Sequence, residues 1–330
     1  MNASNKLLSD LVFFRSYAKF LPHLSRRESP EETINRCMSM HLDKFGSLGK
    51  GLSGDIIKAF GKVQNYDLMP SMRTLQFSGD AILKNELRNF NCAYEPIDNI
   101  RAFDEALFLL LSGVGFGFSV AKRHINKLPV LQFPKEENIF YVADSIEGWS
   151  QALQLLCEAY FMRRIRPVFD FSNIRPVGSY VSLGARAPGP SPLKRMLGLV
   201  ESKLKLAVER KLRPIEVHDI ICIIADCVLA GGVRRSSLIS LFDLDDKEML
   251  EAKSGNWWDK NPWRARANNS AYLFRNKTTY EEFEQVFNAC KNSDSGEPGW
   301  LWINNNDDIG VNPCAEISLN PSQLCNLTEI

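Results

Sequence analysis

The sequence predicts an α/β protein with a parallel sheet, preceded by a helical amino-terminal segment. Three observations carry that expectation. From about residue 90 onward, short strand-like runs alternate with helical stretches, the pattern of βαβ units. The first 65 residues read instead as helical and mixed polar. The chain has 330 residues, 45% hydrophobic and 24% charged. That is enough apolar residue for a large core, and it excludes a mainly disordered, collagen-like or disulfide-framework protein.

The elements follow in order. Leu7, Leu8, Leu11 and Val12 recur at helical spacing, with Phe14, Tyr17 and Ala18 behind them. Ser29 before Pro30-Glu31-Glu32 is a helix start, Ser as the cap and Pro at the first position. Residues 46–54, bounded by glycines, are a flexible break. Residues 90–97 and 115–121 read as strands, with a helix over 102–111 between them. Residues 129–141 read as irregular. Residues 149–162 form a strong apolar helix, and 168–171 a short strand that runs into a Pro/Gly loop ending near residue 192. Helices are expected over 190–203 and 217–229, a strand over 236–242, and a short helix over 248–253. Strands at 269–274 and 300–303 flank a helix over 280–291. There is no internal repeat.

Charge is balanced, 40 Lys+Arg against 39 Asp+Glu, so no basic excess points to a nucleic-acid partner. The clusters Arg163, Arg164 and Arg166, and Arg234 and Arg235, read as local anion contacts or solvated faces. The longest apolar stretch, 106–121, is cut by Gly113, Gly115 and Gly117, too short and too broken for a membrane helix of ~20 residues. No signal peptide is expected, because the first apolar stretch is broken by charges. The eight cysteines are widely spaced, which fits free thiols in a reducing cytoplasm. The sequons at Asn269, Asn276 and Asn326 then carry no meaning.

Asn312-Pro313-Cys314-Ala315-Glu316 places an amide, a thiol and a carboxylate at alternate positions. In an extended or looped backbone these would point to one side, and Pro313 biases Asn312 toward an extended shape. The competing reading is a surface turn with a buried cysteine. Cys92 and Cys325 have no zinc-knuckle spacing; they are either a redox pair meeting across the fold or inert core sulfur. Cys37, Cys157, Cys222, Cys227 and Cys290 read as core. His218 and Cys222, one helical turn apart, read as packing. The glycine-rich 112–117 string follows a helix and enters a strand, the reverse of a dinucleotide fingerprint. It either lets backbone approach a ligand or packs a helix on a strand. Ser71 is either a phosphate hydroxyl or a turn residue.

The strings taken together are specific. Met69-Pro-Ser-Met-Arg73, Asn91-Cys92, Phe103-Asp-Glu, Gly113-Val-Gly, Phe118-Ser-Val, Glu147-Gly-Trp149, the 170–178 run DFSNIRPVG, Ala187-Pro-Gly-Pro190, the 231–236 run GGVRRS, Asn268-Asn-Ser270, Gly296-Glu-Pro-Gly299, Asn312-Pro-Cys-Ala-Glu316 and Cys325-Asn-Leu327 occur in that order. From about residue 65 to 330 the chain resembles the large subunit of ribonucleotide reductase, closest to the adenosylcobalamin-dependent (class II) branch.

That resemblance implies thiyl-radical reduction of ribonucleotides to 2′-deoxyribonucleotides. It implies that Cys314 is the thiyl radical and Glu316 the base at the 3′-hydroxyl. Asn312 would bond the substrate hydroxyls, and Cys92 and Cys325 would close to a disulfide that a thioredoxin-like donor reduces. It places Ser71, Asn91, Ser112 and Gly113 along the substrate ribose and phosphates. It implies a ten-stranded α/β barrel of two five-stranded parallel halves. Residues 66–330 would be the first half, with strands 90–97, 115–121, 168–171, 236–242 and 269–274, ending at the catalytic finger loop. Residues 1–65 would be the helical segment. The second half is expected on a second polypeptide, or on the rest of a longer chain. The radical source is adenosylcobalamin, with a class I small subunit as the alternative. There is no room before residue 65 for an ATP-binding cone, and residues 122–147 are short where monomeric class II members carry an effector-site insertion. The other reading of function is a non-catalytic fragment of a decayed reductase that binds nucleotides or a subunit; a zinc protein is disfavoured by ligand spacing.

Overall fold

The computed structural model describes residues 3–180, 186–229, 237–304 and 309–329. The 231–236 string, with Arg234 and Arg235, lies outside those residues. The chain divides into two compact units, Met1–Asn91 with Asn326–Ile330, and Cys92–Cys325.

The first unit is helical. Helices span Ala3–Ser16, Pro30–Phe45, Leu52–Gln64 and Met72–Phe77. The second starts as its sequence dictates: Ser29 accepts from Glu32 N while the Glu32 side chain accepts from Ser29 N, a capping box with Pro30 at the first position. Ile34, Cys37, Phe60, Val63 and Leu75 form one buried cluster. Leu75 belongs to Met72–Phe77, so the core of this unit draws on residues beyond 65. The helix over Ala3–Ser16 leaves Leu7, Leu8 and Leu11 exposed.

The second unit is built on one six-stranded sheet. Its strands are β1 (Cys92–Pro96), β2 (Gly115–Ser119), β3 (Leu238–Asp243), β4 (Ala267–Phe274), β5 (Gly299–Ile303) and β6 (Gln323–Cys325). The spatial order is β6-β1-β2-β3-β4-β5. The five strands β1 to β5 are mutually parallel, and β6 joins antiparallel at the β1 edge. β2 is buried throughout and β3 in all but its last residue, as central parallel strands covered on both faces must be. β5, at the other edge, alternates between half-buried and exposed positions.

The crossovers are helical. α1 (Arg101–Leu111) joins β1 to β2, and α2 (Ile146–Phe161), α3 (Ser191–Leu206) and α4 (Pro214–Leu229) lie between β2 and β3. α5 (Tyr280–Asn292) joins β4 to β5. α1 packs on α2 and α4, and α3 packs on α4. Among the described residues no helix is long and apolar enough to cross a membrane.

Two sequence expectations are corrected. Residues Arg166–Asp170 do form a strand, but not in the main sheet: they pair in parallel with Glu137–Tyr141 as a separate two-stranded sheet. The fifth parallel strand is Gly299–Ile303 instead. The stretch read as irregular over 129–141 thus ends in a strand. Its pattern was obscured because Ile139 and Tyr141 are exposed, so neither a buried run nor a clean alternation marks it.

Candidate active site

The two faces of the sheet have different covers. α4 lies on one, where His218 stacks on Phe118 of β2 at 6.1 Å between ring centroids. On the other lies a short antiparallel hairpin, Gly310–Val311 paired with Ser318–Leu319. Cys92, Tyr94, Ile239, Leu241, Tyr272, Val311, Leu319 and Cys325 form one buried cluster on that face.

The hairpin sits so close to the sheet that two glycines are obligatory. A Cβ on Gly117 would meet the Val311 carbonyl oxygen at 1.9 Å, and one on Gly310 would meet the Tyr94 ring at 1.9 Å. The glycines of the 112–117 string thus have two separate jobs. Gly113, at φ +90°, ends α1: its N–H donates to Leu110 O and Val114 N–H to Leu109 O, each at 3.0 Å. Gly117 admits the hairpin.

Residues 312–315 turn sharply. Ala315 N–H donates to Asn312 O at 2.8 Å, with Pro313 at the second position of the turn and Ala315 left-handed at φ +64°. The alternate positions of Asn312, Cys314 and Glu316 therefore do not share a face, as an extended backbone would require. Asn312 is buried, while Cys314 and Glu316 are exposed. The buried-cysteine reading of this turn also fails, since the thiol is at its surface.

Asn312 is held from both ends. Its Oδ1 accepts from Ile317 N–H at 3.1 Å, and its Nδ2 reaches Cys92 Sγ at 3.8 Å. Cys92 opens β1, and its partner across the antiparallel β1–β6 pair is Cys325. Directly opposite residues in such a pair have Cα atoms about 4.5–5.5 Å apart, inside the disulfide window. Both thiols are buried, and neither is in a disulfide. Strand register and the turn thus bring Asn312 and Cys325, from the end of the chain, to Cys92, more than 200 residues earlier.

Ser112 and Gly113 lie at the end of α1, just ahead of β2. Gly115, two residues on, is the register partner of Cys92. Ser112 is buried and donates its hydroxyl to Phe108 O at 2.8 Å, within its own helix. Ser71 and Asn91 belong to the first unit. Ser71 caps the helix Met72–Phe77 through Arg73 N–H at 3.2 Å, and its hydroxyl stands 3.5 Å from Asn91 Oδ1.

Sequence reasoning missed the residues beneath the hairpin. Asn268 Nδ2 donates to Pro313 O at 3.2 Å, and Tyr272 OH donates to Ile309 O at 3.3 Å. Tyr94 OH lies 3.5 Å from Tyr272 OH; since Tyr272 spends its proton on Ile309, Tyr94 is the donor there. Burial raises both phenols above their ordinary value, so both stay protonated. The visible signal was the even spacing of Asn268 and Tyr272 on one strand face.

Comparison with known proteins gives consistent relatives. No family model matches the chain. An adenosylcobalamin-dependent ribonucleoside-triphosphate reductase of Euglena gracilis is 31% identical, over 98% of this chain and 48% of its own length. The enzyme of that name from Lactobacillus leichmannii is 25% identical, over 97% of this chain and 54% of its own. A solved B-12-dependent (class II) ribonucleotide reductase matches the fold with a TM-score of 0.82 at 22% identity, over 96% of this chain and 54% of its own. The chain spans about half the length of these relatives. Nearly all of it is thus homologous to about half of an adenosylcobalamin-dependent (class II) ribonucleotide reductase.

Proposed function

We propose that this chain carries the thiol machinery of a ribonucleotide reductase, which reduces ribonucleotides to 2′-deoxyribonucleotides. The observation that carries the reading is the register of β1 and β6. It sets Cys92 opposite Cys325 with the Asn312 amide on Cys92, two residues from the exposed thiol of Cys314.

In this reading Cys314, as a thiyl, takes the 3′ hydrogen of the ribose and returns it to C3′ once the 2′ carbon is reduced, which regenerates the thiyl. Glu316 takes the 3′-hydroxyl proton, and Asn312 orients the hydroxyls with the N–H it does not spend on Cys92. Cys92 and Cys325 supply two electrons and two protons: the C2′–O bond breaks, water leaves, an S–S bond forms, and a thioredoxin-like dithiol restores the thiols. Ser71, Asn91, Ser112 and Gly113 line the ribose and phosphates. The five parallel strands are half of a ten-stranded barrel; a second polypeptide, or further chain, supplies the rest.

Adenosylcobalamin fits the chain at one point. Cys314 is exposed on its turn, as a thiol must be to be oxidised from outside the sheet, and that one-electron oxidation is the chemistry the group supplies when bound. Cys314 is the residue of this chain that would face it.

The test is deoxynucleotide formation by the natural protein with its co-purifying chains, adenosylcobalamin and a dithiol. Cys314→Ala abolishes product while leaving the melting temperature unchanged. Cys92→Ser and Cys325→Ser each abolish the single turnover that prereduced enzyme performs without added dithiol. Turnover persisting in Cys314→Ala overturns the radical assignment. Intact mass checks completion: 37.4 kDa with a second chain means a split enzyme, and a larger single mass means one segment of a longer chain.

A further inference from the structure

The Cys314 turn has two kinds of anchor. One kind is internal: Ala315 N–H on Asn312 O, and Ile317 N–H on Asn312 Oδ1. These shape the turn. The other kind ties it to the sheet: Asn312 Nδ2 reaches Cys92 Sγ on β1 at 3.8 Å, and two further bonds come from β4. Asn268 and Tyr272 are four residues apart, so they project from one strand face, and they hold the carbonyls of Pro313 and Ile309. These two bonds bracket the first strand of the hairpin.

The Pro313 carbonyl is the more telling contact. It belongs to the peptide plane whose nitrogen is that of Cys314. Fixing its oxygen fixes the rotation of that plane, and with it the N–Cα bond of Cys314 from which the side chain is carried. Pro313 has no N–H to offer a second anchor, so the carbonyl is the one backbone handle this residue presents. The next residue on β4 shows how specific the placement is. Asn269 points to the opposite face, and the backbone N–H it contributes goes to Glu297 Oε2 at 3.1 Å.

We propose that Asn268 is a positioning residue for the Cys314 thiol, acting through the Pro313 carbonyl, with Tyr272 as the second tie of the same turn. The role of the thiol rests on the function proposed above; the tethering of the turn does not. An exposed radical thiol needs a fixed reach. Without the β4 bonds only the long Asn312–Cys92 contact would tie the turn to the sheet, and a misplacement of about 1 Å is enough to cost a reaction heavily.

The test is hydrogen exchange across the hairpin in the natural, complete protein, read against strands β2 and β3. Asn268→Ala removes the donor. Asn268→Asp keeps the shape but sets an acceptor against the carbonyl. Both are expected to speed exchange at residues 312–319 by roughly three- to tenfold, the span of one neutral hydrogen bond. Exchange in β2 and β3 stays unchanged, and Asn268→Gln recovers part of the protection. Tyr272→Phe, the second variant, loosens the hairpin at its Ile309 end. In turnover, Asn268→Ala lowers kcat while KM holds. Hairpin exchange equal to the unaltered protein in both Asn268 variants overturns the proposal, and so does an increase spread evenly over the sheet, which would mark Asn268 as merely structural. If the unaltered protein reduces no ribonucleotide, the functional reading fails, and the exchange experiment still decides the tether.

Discussion

Each face of the sheet holds a cysteine beside a polar partner, and the two pairs differ in everything else. Under α4, Cys222 Sγ stands 3.6 Å from His218 Nε2. The two residues are one helical turn apart, and neither has any solvent exposure. Under the hairpin, Cys92 meets Asn312 and Cys325, residues remote in sequence. The first pair is local and sealed. Burial raises the Cys222 thiol and lowers His218 to about 3, so both are neutral and inert at neutral pH. The second pair is assembled by strand register and lies next to an exposed turn. The first pair is made by proximity along a helix, and the second by convergence of separate segments on one face of the sheet.

The comparison breaks most sharply if the helix face is opened. Phe118→Ala removes a fully buried ring that stacks on both Phe116 and His218. It is expected to cost about 3–5 kcal/mol, and the melting temperature measured by calorimetry falls for the whole second unit. Gly117→Ala strikes the other face. Its Cβ meets backbone at 1.9 Å, so the hairpin and not the sheet must yield, at about 1–3 kcal/mol. Hydrogen exchange over 310–319 rises while α4 stays protected. A uniform rise in exchange would mean that the sheet, and not the hairpin alone, yields to the added methyl.

Oxidation sharpens the same contrast at lower energetic cost. Mild oxidant should join Cys92 to Cys325 without unfolding, since the register already sets their backbones at bonding distance. Peptide mapping would show that one disulfide and an unmodified Cys222, Cys157 and Cys37, all buried. Alkylation of Cys222 in the folded protein would contradict the sealed face.

These results bear on what the sequence could reveal. Four of the five parallel strands were legible as short β-prone runs bounded by helical or turn segments, each with an apolar stretch such as 238–242 or 271–274. The fifth, Gly299–Ile303, is an edge strand whose alternate tryptophans pack on α5 through Phe283. It was visible as a strand but not as a member of the sheet. Arg166–Asp170 took its place in the expected order, because propensity reports that a segment is extended and not which neighbour it pairs with. The residue types of the candidate site were legible. Their geometry was not: the turn at 312–315 follows from one hydrogen bond and one left-handed residue. The tie from Asn268 depends on a strand placed there by the whole βαβ order. Ser112 shows the limit from the other side, its hydroxyl serving its own helix.

The smallest effect tests the sealed pair by pH. His218 has its pKa lowered from 6.5 to about 3, with burial as the largest cause. The folded protein therefore keeps it neutral, while the unfolded chain binds a proton below pH 6.5. A group depressed in the folded state gives stability that is complete above its unfolded pKa and is lost as pH falls toward the folded one. His218 alone should thus withdraw about 1 kcal/mol between pH 7 and pH 5.5. His218→Phe keeps a flat ring against Phe118 and carries no proton. Denaturant unfolding of both proteins at the two pH values isolates the difference, because every other titrating group is common to them. The variant should lose about 1 kcal/mol less than the unaltered protein over that interval. Equal losses would mean that His218 takes up its proton in the folded state, and the helix face would then be open to water.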